Sequence, residues 1–99
     1  MTAEQKITVY LSIGNSDDRL TQRAWSEYVG EVVDAVHEHA ERVYVECYSA
    51  SDARFQNACI GFEIPKPVAR ELRAALKAIR EDHGKNSIVW AVAPRTEHI

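Results

Sequence analysis

The chain is sparing with the residues that staple or punctuate small proteins: 2 cysteines, 4 glycines and 3 prolines in 99 residues. Two cysteines cannot build the disulfide framework of a small secreted scaffold. Four scattered glycines leave no glycine-rich loop to cradle a phosphate. Apolar runs are only a few residues long, far short of the roughly 20 needed for a membrane-spanning helix, and residues 1–6 lack the apolar segment of a secretory leader. There is no basic excess either. Twelve Lys and Arg stand against 15 Asp and Glu, a formal charge of −3, which opposes nonspecific attraction to nucleic acid or an anionic bilayer. The composition predicts a cytoplasmic protein with no membrane partner and no nucleic-acid partner.

What is present is a clear order of amphipathic segments in one domain spanning 1–99, large enough for a single two-layered core. The chain is organised around 6–19. Ile7, Val9, Leu11 and Ile13 fall on one face and Thr8, Tyr10 and Ser12 on the other, the period of a strand with one side against a core. A polar loop from Gly14 to Arg19 ends it. Residues 20–41 then repeat Trp25, Val29, Val32, Val36 and Ala40 at helical spacing. Thr21 is placed as the N-cap, with Leu20 and Trp25 as a hydrophobic staple across it.

Strands are expected at 42–49 and 57–64, joined by the hairpin loop 50–56. Pro67 opens a second helix as its first residue, with Val68, Leu72, Ala75, Leu76 and Ile79 as its stripe, and Gly84 closes it. A last strand is expected at 87–93. Strand, helix, strand, strand, helix, strand, with right-handed crossovers, predicts an α+β ferredoxin-like βαββαβ sandwich, its antiparallel sheet ordered 4-1-3-2 with two helices on one face.

That topology gathers loops 14–19, 50–56 and 83–86 on one rim. Asn15, Ser16, Asp17, Asp18, Asp52, Arg54, Gln56, Asn57, His83 and Lys85 are the candidate binding residues there. Asp17, Asp18 and Asp52 are the right chemistry for Mg²⁺, yet adjacent aspartates also favour turns and helix starts, and no metal site is assigned. Arg54, Asn57 and His83 could form a small anion pocket that resembles the acylphosphatase site in using Arg plus Asn, but the glycine-rich loop of those enzymes is absent after the first strand. No catalytic residue and no cofactor are assigned. His37 and His39 lie two apart on a helix and point in different directions.

Two further surfaces stand out. Tyr10, Tyr44 and Tyr48 are expected on the sheet face away from the helices, with Cys59, Gly61, Val89 and Ala91. A tyrosine-rich face with few charges suits a protein interface, including a homodimer. The first helix carries an acidic ridge of Glu27, Glu31, Asp34, Glu38 and Glu41. The second carries a basic one of Lys66, Arg70, Arg73, Lys77 and Arg80, so some charges are expected to pair between the helices. Arg70, Arg73, Lys77 and Arg80 are candidate interface residues towards an acidic partner. Strict alternation puts Cys47 on the face of Val43 and Val45, and Cys59 opposite to Ala58, Ile60, Phe62 and Ile64. Two thiols on opposite faces of a sheet cannot bridge, which fits free thiols in a reducing compartment.

The runs IGNSDDRLTQRAWSEYV, YSASDARFQNACIGFEI and SIVWAVAP resemble a group of small actinobacterial and bacteriophage proteins without assigned activity. The resemblance covers most of the chain and supplies no catalytic residues. It implies an accessory or regulatory role, for a phage protein one of sticking to a host or defence protein. The reading of the sequence is a small non-enzymatic binding or regulatory protein that acts through protein contacts. The alternative is a small metal-dependent or phosphoryl-handling hydrolase at the rim.

Overall fold

A computed structural model gives the structure of residues 5–15, 20–50, 53, 56–85, 87–94 and 99. The elements run β1 (Lys6–Gly14), α1 (Gln22–His39), β2 (Arg42–Tyr48), β3 (Asn57–Pro65), α2 (Lys66–Asp82) and β4 (Val89–Ala93). The strands form one antiparallel sheet in the order β2-β3-β1-β4, which counted from the β4 edge is 4-1-3-2. Both helices lie on one face of it, against each other and against β3. The architecture is a ferredoxin-like α+β sandwich.

The alternation in β1 and β3 explains the core. Val9, Leu11 and Ile13 from β1 and Ala58, Ile60, Phe62 and Ile64 from β3 point under the helices and are all buried. Trp25, Tyr28, Val32, Ala35 and Val36 of α1 and Ala69, Leu72 and Leu76 of α2 close over them. Helical and strand periods thus converge on one apolar layer.

The helix ends follow local chemistry. Thr21 caps α1, its hydroxyl accepting from the Ala24 amide at 3.1 Å, and Leu20 and Trp25 both join the core across that cap. Pro67 sits in the second helical position of α2, one later than its sequence suggests, because Lys66 already takes helical geometry after the extended Pro65. At the other end Gly84 takes φ 67°. Its amide bonds Glu81 O at 3.1 Å and the Lys85 amide bonds Arg80 O at 3.0 Å, the paired closure that favours glycine at this position.

One element departs from strict alternation. In β2 the ladder slips between Val43 and Val45, leaving Tyr44 as an extra residue. Continued from Arg42↔Glu63, an unbroken register would set Cys47 opposite Ala58. The bulge delays it by one, so Cys47 faces Cys59, Val45 faces Gly61 and Glu46 faces Ile60. A one-residue slip exchanges the faces of everything after it. The expectation that the two cysteines lie on opposite faces is therefore overturned: both are free and exposed on the open face. Tyr48 is corrected in the same way. It pairs with the buried Ala58 and stands on the helix side with Trp25, Ser26 and Val29, not on the open sheet.

Candidate functional site

The sheet face away from the helices is built as three cross-strand rows. One row runs Cys47, Cys59, Ser12, Val89, and the next runs Val45, Gly61, Tyr10, Ala91. The third holds Arg42 with Glu63, Thr8 and Ala93, and the bulged Tyr44 leans over its end. Tyr10, Tyr44, Val45 and Val89 are 51%, 46%, 43% and 56% exposed, which for large apolar side chains on adjoining rows makes one continuous patch. Gly61 lies at its centre. A Cβ there would meet Val45 Cγ1 at 2.9 Å and Tyr10 Cε1 at 3.0 Å, so the two side chains close over the glycine and leave a level surface.

Among the described residues, charge on this face is confined to one corner. Lys6 Nζ pairs with Glu41 at 2.9 Å, Arg42 lies over the Tyr44 ring at 5.3 Å, and the Tyr44 hydroxyl donates to Glu63 at 2.8 Å. The Glu63 carboxylate holds the Tyr44 hydroxyl above its ordinary pKa by accepting a hydrogen bond from it, and that of Glu41 does the same for the Lys6 ammonium. Two cations and two anions, Lys6, Arg42, Glu41 and Glu63, balance at this corner.

The rim residues divide. Asn15, Gln56 and Asn57 come together, with the Asn15 amide bonded to Gln56 O at 2.8 Å. Asn15 is buried and bonds both the amide and the carbonyl of Leu20 through its side chain. Gln56 is buried and donates to Gln22 at 2.9 Å. Lys85 is buried as well, and its carbonyl accepts from Arg80 at 3.0 Å. The Asn15 and Gln56 side chains close loops and present little to a ligand, whereas Asn57 is exposed. Ser16, Asp17, Asp18, Asp52 and Arg54 lie outside the described residues.

His83 turns instead towards α1. Its ring lies 5.1 Å from that of Tyr28 and it contacts the Glu31 carboxylate. Donor atoms of Glu31, Asp82 and His83 lie within 4.8 Å of one another, a set able to hold a divalent cation. Sequence reading missed this trio because Glu31 and His83 are distant in the chain, and only the antiparallel helix pair joins them.

The basic ridge faces a groove rather than the acidic ridge. Arg70 and Arg73 line an opening between α2 and strands β1 and β4 with Lys6, Lys66, Trp90 and Val92. Arg73 lies 5.6 Å from the Trp90 ring centre. Arg73, Lys77 and Arg80 line its continuation past Ile88. His83 contacts Glu31 of α1, while Lys77 and Arg80 pair with Glu81 of their own helix.

No family model matches the sequence, and no curated protein does. Among solved structures the chain is similar to a DUF3240 family protein from Shewanella baltica OS155, with TM-score 0.52 and 14% identity over 99% of this chain and 96% of that one. It is also similar to a candidate antibiotic biosynthesis monooxygenase from Caulobacter crescentus CB15, with TM-score 0.54 and 12% identity over 95% of this chain and 92% of that one. At such identities the likeness carries the fold alone. No described helix is long and apolar enough to cross a membrane.

Proposed function

We propose that this is a non-enzymatic binding protein acting through protein contacts, and that its working surface is the open face of the sheet with a second copy of the chain as first partner. The observation that carries this is the continuous patch of Tyr10, Tyr44, Val45 and Val89, half exposed on a level sheet. Tyrosine and branched aliphatic side chains of this kind give large contact area at little conformational cost. The balanced corner of Lys6, Glu41, Arg42 and Glu63 favours a two-fold contact, in which each surface meets its own copy and like charges need not oppose. A regulatory role towards a host or defence protein, as the resemblance to phage and actinobacterial proteins implies, would use the remaining surfaces, with Arg70, Arg73 and Lys77 offered to an acidic partner.

Light scattering over a concentration series tests the reading. The wild type is expected to approach twice the 11.2 kDa mass of the chain, and Val45→Glu to hold it at one. A wild type that stays at one chain mass at high concentration contradicts it. The second reading, a metal-dependent hydrolase, draws support from the Glu31, Asp82 and His83 trio. Calorimetric titration with Zn²⁺ or Mn²⁺ and a phosphoester turnover assay separate it from the first.

A further inference from the structure

We propose that Cys47 and Cys59 are a reversible dithiol–disulfide couple on the open face, oxidised by exchange with small disulfides of the glutathione type. The couple stands on the register of β2 against β3 and does not need a second copy on the face. The bulge at Tyr44 places the two residues directly opposite each other, and both are exposed. The phase of the ladder fixes their spacing. The Ser49 amide bonds Asn57 O at 3.0 Å, so two residues further along Cys47 and Cys59 form a hydrogen-bonded antiparallel pair with Cα atoms about 5.5 Å apart. That Cα spacing lies inside the roughly 4.4–6.8 Å range of disulfides. The Cβ atoms of a hydrogen-bonded pair stand about 5.5 Å apart, beyond the roughly 3.5–4.5 Å of a relaxed bridge, so closing the bond draws the two strands together and leaves it strained and readily reduced. Ser12 Oγ lies 3.3 Å from Cys59 Sγ, placed to donate to a Cys59 thiolate. Cys47 is on an edge strand, open to a small oxidant. Exposed bridges of this kind are the labile ones, made and broken in exchange.

One cysteine, as its thiolate, attacks a sulfur of the small disulfide, forming a mixed disulfide and releasing one small thiolate. The second cysteine thiolate attacks the protein sulfur of that mixed disulfide and expels the other small thiolate. The protein has lost two electrons and two protons, and the small disulfide has become two thiols. Excess small thiol runs both steps backwards. The bridged state ties the edge strand β2 to β3 beside the hairpin loop.

The test uses the reduced full chain, diluted below any concentration at which light scattering detects association, so that failure here is separate from failure of the contact reading. On incubation with oxidised glutathione the wild type should lose both titratable thiols, lose two hydrogens in intact mass, stay a single chain and yield a peptide linking the two strands. Excess reduced glutathione should restore both thiols. Cys47→Ser and Cys59→Ser should each stop at a stable adduct with one glutathione. Bridging should be at least about tenfold faster in the folded chain than in urea, because the fold sets the thiols side by side. Accumulation of a doubly glutathionylated wild type, linkage only between chains, or equal bridging rates folded and unfolded would each overturn the proposal.

Discussion

The two faces of the one sheet differ in what their residues are for. Along β1, Val9 and Leu11 are fully buried, whereas Tyr10 between them is 51% exposed. The covered face is fixed from two sides, by strand neighbours and by α1 and α2, so its residues are apolar without exception in β1 and β3. The open face is fixed only by the ladder. It mixes Thr8, Ser12, Cys59, Glu63 and Tyr10. Fold stability therefore lies mainly on the covered side, and the open side is the one we propose for contact.

That division can be broken first where it is strongest. Phe62→Ala, at a side chain with no exposure that also packs against Trp90 with ring centres 5.9 Å apart, is expected to cost about 3–5 kcal/mol in urea unfolding. A loss below about 1 kcal/mol would mean the covered face is not the stabilising one. The second probe is Tyr28, fully buried with its hydroxyl unpartnered among the described residues. Burial pushes its pKa up to about 12. A hydroxyl whose pKa is raised by folding stabilises fully below the unfolded value near 10, and that contribution is lost as pH rises towards 12. Roughly 2 kcal/mol of stability should disappear across that window. Tyr28→Phe removes this alkaline loss and, having no bond to give up, should unfold no earlier than wild type at pH 7.

Smaller effects are expected on the open side. Gly61→Ala forces Val45 and Tyr10 apart and should cost about 1 kcal/mol by overpacking, with a larger fractional loss in association than in stability. Val45→Glu, on a surface side chain, should change unfolding by no more than about 0.5 kcal/mol while abolishing association. If it destabilised the fold as Phe62→Ala does, the contrast between the faces would be lost.

How far the molecule was legible from its sequence follows the same line. β1, β3 and both helices could be read directly, since each carries one unbroken apolar period and Thr21 and Gly84 mark their ends. β2 could not be assigned throughout. The run Val43 to Tyr48 alternates in a way that either face would accept, and the slip at Tyr44 is set by its partner strand. That single residue misplaced Val45, Cys47, Glu46 and Tyr48, and with them the only cysteine pair. On the open face Tyr10, Cys59, Gly61 and Val89 were legible because β1 and β3 carry or pair with them. The Glu31, Asp82 and His83 trio was not, since nothing local links a mid-helix glutamate to a distant helix end.

The most direct test of the contact surface is the amide spectrum of ¹⁵N-labelled chain titrated with unlabelled chain. Shifts concentrated at Tyr10, Val45, Cys59, Gly61 and Val89, with α2 unmoved, are the predicted result. Shifts centred on Arg70, Arg73 and Lys77 with a silent sheet would contradict it.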